Sequence, residues 1–230
     1  MDKIYNKENS YIQCDQDIFD QLPVSLFDYD YIANKGLIKS EAQGRGKTIE
    51  FEYQKKRYFL KNYIRGGLPS KLIYNKYWFS TIASTRAVLE YNFLLNLLKF
   101  NLPVPKPVAL QVIREKFFYK ANLITCKIEN EGTLYEFIKS NKMNKKLWSN
   151  LYKTLNNFYL QSVYHSDLNS KNIIIDKKNN IYLIDFDKSY YFQNKKLFFK
   201  SLKRLDRSLK KIKIYNNEFS EFIEKFYINR

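Results

Sequence analysis

The side chains best equipped for chemistry sit close together in Tyr164-His165-Ser166-Asp167-Leu168-Asn169-Ser170-Lys171-Asn172. Ile173-Ile174-Ile175 follows, then the polar run Asp176-Lys177-Lys178-Asn179-Asn180, then Ile181-Tyr182-Leu183-Ile184-Asp185-Phe186-Asp187. Two short apolar runs flanking a polar, turn-forming one predict a β-hairpin. Residues 172 and 185 lie equally far from its centre, so Asn172 and Asp185 are expected side by side at the open end, where the preceding loop delivers Asp167. Two carboxylates and a carboxamide are hard oxygen donors, suited to a Mg²⁺ ion that keeps waters and bridges phosphates. The plain alternative is a hairpin with Asp and Asn on a solvated surface.

Other elements must hold such a cluster in place. Thr48-Ile49-Glu50-Phe51-Glu52-Tyr53 and Arg57-Tyr58-Phe59-Leu60-Lys61 flank the polar Gln54-Lys55-Lys56 and predict a second hairpin, preceded by a turn with Gly44 and Gly46 against which a phosphate could lie. From Thr85 to Phe100, Val88, Tyr91, Leu94, Leu95 and Leu98 recur at helical spacing, and Leu102-Pro103-Val104-Pro105-Lys106-Pro107 ends that helix. Strands are expected at 108–113 and 117–124, and a further helix carries Leu147, Leu151, Leu155 and Phe158. These elements predict two parts: residues 1–127, including an N-terminal extension over 1–40 without a motif, and residues 128–230.

Composition limits the function classes. The chain has 230 residues, 45% of them hydrophobic and 17% aromatic, which excludes a disordered or fibrous protein. Forty Lys and Arg against 23 Asp and Glu give +17. That charge suits an anionic partner, although Lys, Asn, Ile, Tyr and Phe are overused together, as an AT-rich coding bias would also produce. Cys14 and Cys126 are too few for a disulfide framework and fit no metal spacing, which points to a reducing compartment. The polar start Met1-Asp2-Lys3-Ile4-Tyr5-Asn6-Lys7-Glu8 does not read as a secretory signal, and no run reaches the roughly 18 apolar residues of a spanning helix.

His165-x-Asp167, an Asn five residues after that Asp, and Asp185-Phe186 thirteen residues further on resemble the catalytic signature of the protein-kinase-like fold. The resemblance implies an α+β, two-lobed protein, with a β-rich N-lobe and a reduced, mainly helical C-lobe. It also implies that Asp167 accepts the proton of an acceptor hydroxyl, that Asn172 and Asp185 hold Mg²⁺ beside ATP, and that His165 braces the loop. Lys61 resembles the lysine that contacts the nucleotide phosphates, and Glu90 its ion-pair partner. A P-loop reading of Gly44-Arg45-Gly46-Lys47-Thr48 fails, because its first glycine would fall on Glu41 and a strand rather than a helix follows. Only 43 residues follow Asp187, too few for a peptide-holding platform, and Asp187 replaces the glycine of Asp-Phe-Gly, so a constitutively active enzyme with a non-protein acceptor is expected.

More specifically, the chain resembles kinases of 3-deoxy-D-manno-octulosonic acid (Kdo), from about Gly44 to Leu209. The matching stretches are Gly44-Arg45-Gly46, Tyr63-Ile64-Arg65-Gly66-Gly67-Leu68, Thr85-Arg86 leading into Glu90, Leu102-Pro103-Val104-Pro105-Lys106-Pro107-Val108-Ala109, Tyr164 to Asn169, and Leu183 to Asp187. The resemblance implies transfer of the ATP γ-phosphate to the 4-hydroxyl of Kdo on a lipid A precursor, at the cytoplasmic face of the bacterial inner membrane. Arg65, Lys171 and Asp187 become candidate phosphate or acceptor contacts. Lys171 departs from the family pattern, and Lys61 stands where some relatives use arginine.

Phe198, Leu202, Leu205, Leu209 and Ile212 form an apolar stripe in a region otherwise crowded with Lys and Arg. Such a helix can rest on anionic headgroups through Lys200, Lys203, Arg207 and Lys210, or pack its stripe inward and leave the cations solvated. The alternatives are a kinase of the same fold acting on a core heptose or an aminoglycoside-like molecule, and a non-catalytic basic module. No nucleic-acid partner and no obligate protein partner are expected.

Overall fold

A computed structural model describes residues 2–7, 9–19, 24–42, 48–63, 77–213, 215–216 and 218–228. The chain divides into two compact units, residues 1–95 with 106–127, and residues 96–105 with 128–230. The single cut expected after residue 127 therefore misplaces 96–105. This stretch leaves the helix over 86–99 through Asn101, whose φ of +55° is the left-handed conformation that stops a helix, and Pro103 then accepts a hydrogen bond from Leu183 N at 3.0 Å.

Among the described residues, the first unit is an antiparallel sheet with three short helical segments and one longer helix. Its strands are β1 (Asp2–Lys7), β2 (Ser10–Asp15), β3 (Ile38–Ala42), β4 (Thr48–Tyr53), β5 (Lys56–Asn62), β6 (Tyr77–Trp78), β7 (Pro107–Glu115) and β8 (Phe118–Cys126), in the order β1-β2-β7-β8-β5-β4-β3, with β6 against β8. Gln54 and Lys55 join β4 to β5 with φ of +49° and +61°, the two-residue turn whose twist matches paired strands. Alternation places Ile49, Phe51, Tyr58 and Leu60 in the core with Ile12, Cys14, Leu26, Ile32 and Ile124. Helix α1 (Tyr29–Asn34) is capped by Asp28, which accepts from the backbone of Asp30 and Tyr31. Helix α2 (Arg86–Lys99) buries Val88, Tyr91, Leu94 and Leu97.

The N-terminal stretch, expected to be an extension without a motif, is part of this sheet. Tyr11 pairs with Val112 and Ile12 with Gln111, so β2 lies beside β7 with β1 outside it. Strand β1 was hard to read because Lys3, Ile4, Tyr5 and Asn6 are all exposed, and the alternation that marks a half-buried strand is missing.

In the second unit, β9 (Gly132–Thr133) pairs with β11 (Ile173–Ile175), which pairs with β12 (Ile181–Leu183), and β10 (Val163–Tyr164) pairs with β13 (Tyr190–Tyr191). Among the described residues four helices accompany them: α3 (Leu134–Lys139), α4 (Lys145–Leu160), α5 (Lys196–Leu209) and α6 (Glu218–Ile228). Thr133 and Glu136 form a reciprocal capping box on α3, and Asn144 caps α4. Leu147, Leu151, Leu155 and Phe158 of α4 are buried as their spacing predicts. No helix of the described residues is long and apolar enough to cross a membrane.

Candidate active site

The loop from His165 to Asn172 lies between β10 and β11 and is tied down largely through its backbone. His165 is buried, with its ring 4.6 Å from that of Phe186. Its Nε2 lies 3.0 Å from the carbonyl of Ile184, and its Nδ1 accepts from the Asp167 backbone N–H at 3.2 Å. An imidazole that donates through Nε2 and accepts through Nδ1 satisfies both contacts in its neutral form. The Asp167 carbonyl accepts from Asn172 Nδ2 at 2.9 Å and from Asn169 Nδ2 at 3.1 Å. Asn169 Oδ1 in turn accepts from the backbone of Lys171 and Asn172. The backbone of Asp167 is held from both sides while its side chain is 53% exposed.

Asp185 reaches this loop in a way the sequence only approximated. The register pairs Ile173 with Leu183, and Ile184 N donates to the Asn172 carbonyl at 3.0 Å, so the residue opposite Asn172 is Ile184. Asp185 follows with a φ of +64°, a left-handed conformation that costs a non-glycine residue energy and is held here by its neighbours. Phe186 provides one anchor: it is buried and stacks on Phe158 of α4 at 6.0 Å. The positive φ falls at Asp185 and at Lys188, not at Asp187, so an aspartate takes the position after Phe186 without backbone strain. The Asp187 carbonyl accepts from the Ser166 hydroxyl, closing the loop against the 185–189 turn.

Helix α5 provides contacts that sequence reasoning assigned elsewhere. Arg204 Nη1 lies 3.2 Å from Asp167 Oδ1. Ser201 Oγ donates to the His165 carbonyl at 2.9 Å, and Ser208 Oγ accepts from Ser170 N at 3.0 Å. In sequence Arg204 is one of nine Lys and Arg between 195 and 213. The available signal was Ser201 and Ser208, two small polar residues seven apart on a helix otherwise built of apolar and charged side chains. The stripe of Phe198, Leu202, Leu205, Leu209 and Ile212 is buried, so the inward packing holds. Lys200, Lys203, Arg207 and Lys210 are exposed. Lys210 pairs with Asp206 at 2.8 Å, and Arg207 Nε donates to the Lys203 carbonyl. Lys171 Nζ sits 5.4 Å over the ring of Tyr135.

In the first unit, Lys61 at the end of β5 meets Glu90 of α2, with Nζ 2.9 and 3.1 Å from the two carboxylate oxygens. Tyr63 Oη donates to the same carboxylate at 2.6 Å. Glu90 is buried, and a buried carboxylate persists only when paired and hydrogen-bonded, so removing Lys61 would leave a charge whose isolation costs about 3–5 kcal/mol. Arg86 lies 5.3 Å over Tyr63 and 5.0 Å over Tyr77, and its guanidinium donates to Tyr77 Oη. Tyr63 and Arg86 stood only as motif residues in the sequence. Gly44, Gly46 and Arg65 lie outside the described residues.

The sequence profile of the Lipopolysaccharide kinase (Kdo/WaaP) family matches residues 30–226. A 3-deoxy-D-manno-octulosonic acid kinase of Photobacterium damsela subsp. piscicida is 32% identical over 207 residues, covering 90% of this chain and 86% of the relative. Its counterpart in Vibrio vulnificus (strain YJ016) is 32% identical over 191 residues, covering 83% and 81%. Among solved structures, a co-crystal structure of WbdD with the kinase inhibitor LY294002 is similar, with a TM-score of 0.49 and 12% identity over 83% of this chain and 41% of that chain.

Proposed function

Because the chain belongs to the lipopolysaccharide kinase (Kdo/WaaP) family, we propose that it transfers the γ-phosphate of ATP to the 4-hydroxyl of a Kdo residue on a lipid A precursor, at the cytoplasmic face of the bacterial inner membrane. The observation that carries this reading is the loop around Asp167. Its backbone is fixed by His165, Asn169 and Asn172 while its carboxylate stands open to solvent, the arrangement a base needs if it is to meet an incoming hydroxyl. In the proposed reaction the Kdo hydroxyl oxygen attacks the γ-phosphorus, its proton passes to the Asp167 carboxylate, and the bond from the γ-phosphorus to the bridging oxygen breaks to leave ADP.

Asn172 and Asp185 suit Mg²⁺. The carboxamide nitrogen of Asn172 is engaged by the Asp167 carbonyl, which leaves its oxygen as the donor toward a metal, and Asp185 adds an anionic oxygen. Bound there, Mg²⁺ would neutralise charge on the nucleotide phosphates. The Lys61 ammonium, held by Glu90, keeps its assignment to the nucleotide phosphates, as do Gly44 and Gly46, while Arg65 keeps its assignment as a phosphate or acceptor contact. Lys200, Lys203, Arg207 and Lys210 supply attraction toward anionic headgroups, about 1 kcal/mol each before screening. Mass spectrometry of lipid incubated with the protein, ATP and Mg²⁺ should show one added phosphate on the Kdo moiety; phosphate on another sugar, or none, overturns the reading.

Arg204 holds the Asp167 carboxylate in one orientation. Exposed ion pairs contribute little to stability, roughly 0–1 kcal/mol, so Arg204→Gln should leave the melting temperature and Mg-ATP binding near wild type. Its turnover should fall about tenfold, because misplacing a catalytic group by an ångström is costly in rate. Arg204→Lys should recover part of the loss. Unchanged turnover in Arg204→Gln would reduce the contact to surface pairing.

A further inference from the structure

Trp78 and Phe117 are each 69% exposed, the highest fraction for any large apolar side chain among the described residues. The sheet sets them at the same end of the β7–β8 hairpin. Strand β6 pairs Tyr77 with Tyr119 and Trp78 with Phe118, and Phe79 N donates to the Phe117 carbonyl at 2.8 Å. Alternation sends Tyr77 and the buried Tyr119 to one face, where their rings stack at 5.4 Å. Trp78 and Phe118 consequently share the opposite face, with centroids 5.0 Å apart. Phe117 follows Lys116 in the turn between β7 and β8, where Lys116 has a φ of +54°.

Basic residues occupy the neighbouring positions of β7, the turn and β8. Arg114 lies 4.7 Å over Phe79 and donates to the Lys116 carbonyl, Lys116 is at the turn itself, and Lys120 pairs with Glu115 at 2.7 Å. Three basic residues against one acid, set around a Trp and two Phe, is the composition of an interfacial anchor: the rings enter the headgroup layer and the cations stay level with its phosphates. A single exposed Phe or Trp needs no explanation, but an exposed Trp78 packed on Phe118, with a second exposed ring at Phe117 in the adjoining turn, does. Helix α5 cannot supply the apolar part of a membrane contact, because its stripe is buried.

We infer that the β6 strand and the β7–β8 turn form a membrane anchor, in which Trp78, Phe117 and Phe118 insert into the surface of an anionic phospholipid bilayer while Arg114, Lys116 and Lys120 bind its headgroups. The choice of a bilayer as the occupant rests on the lipid-borne acceptor proposed above. The surface itself rests on exposure, stacking and charge.

The chain carries its own reporter, since Trp148 is buried and Trp78 is the exposed tryptophan. The test uses the full chain with vesicles of phosphatidylethanolamine and phosphatidylglycerol that contain no Kdo. Tryptophan emission should shift to shorter wavelength on binding and be quenched by lipids brominated near the headgroup. Phe117→Ser, which keeps the reporter, should weaken co-sedimentation about tenfold, and Trp78→Ser/Phe117→Ser about a hundredfold, from the apolar area withdrawn from water. Unchanged melting temperatures and Mg-ATP binding would establish that the variants fold, and Phe117→Ser alone decides the matter if the double variant does not. Wild-type failure to bind vesicles, full binding by Phe117→Ser, or binding without a change in Trp emission would each overturn the anchor. So would a doubling of mass in solution that the same substitutions abolish, since a second copy would then occupy the surface. Vesicle binding that follows this pattern while no Kdo lipid is phosphorylated would leave the anchor standing and sink the acceptor assignment.

Discussion

Asp167→Ala should lower turnover by about 10²–10⁴ while leaving Mg-ATP affinity near wild type. The selectivity of the loss follows from the structure. The loop is held by His165 Nδ1 on the Asp167 N–H and by Asn169 and Asn172 on the Asp167 carbonyl, and none of these bonds uses the side chain that the substitution removes. The carboxylate contacts Arg204 instead, and that exposed pair adds little to stability. The variant should therefore fold, melt near the wild-type temperature and bind nucleotide, but fail to accept the acceptor's proton. Turnover within tenfold of wild type would remove Asp167 from the base assignment. An equal loss in Mg-ATP affinity would place it with the metal.

The second large effect is expected at Asp185, where aspartate-to-asparagine is the informative change. Asp185 has a φ of +64°, and asparagine is among the few residues that adopt this conformation at modest cost. Asp185→Asn thus keeps the backbone and the size of the side chain while removing its charge. It should weaken Mg²⁺-dependent ATP binding and lower turnover together, by at least about tenfold each, as loss of an anionic ligand to a hard cation implies. Thermal shift with ATP, with and without Mg²⁺, separates the two contributions. The Mg²⁺-dependent part should shrink while the Mg²⁺-independent part stays. A full Mg²⁺-dependent shift in Asp185→Asn would show that the metal is held by other residues. Asp185→Ala is a poorer probe, since it adds strain in the left-handed region to the loss of charge.

Much of this site was legible because its chemistry is local in sequence. Asp167, Asn172 and Asp185 fall within twenty residues, and a hairpin between two isoleucine-rich runs leaves little choice about which ends meet. The off-by-one register arose at the turn: Ile175 pairs with Ile181, which centres the hairpin on Lys178 and sets Ile184 opposite Asn172, and a polar run does not by its composition mark its own centre. Lys61 and Glu90 were legible only by resemblance, because their 29-residue separation follows no period. Arg204 was lost among eight other basic residues between 195 and 213, and no pattern of charge distinguishes the one that turns toward a carboxylate. Strand β1 was missed because its side chains face solvent and it is held by backbone bonds to β2, which composition does not record.

The position of β2 also sets an order of events. Its partner on the inner side is β7, and Ser10 pairs with Ile113, so the two strands cannot join until more than a hundred residues separate the chain's start from its growing end. During synthesis at about 5–20 residues per second, β1 and β2 therefore wait several seconds before their docking edge has emerged. Ile12 and Cys14, buried in the finished sheet, face water for that interval. Closure between segments this far apart raises the mean sequence separation of the contacts and slows the search for them. Strands β1 and β2 are thus early to emerge and late to dock, and the nascent first unit spends its most exposed seconds with the outer edge of β7 still to be made.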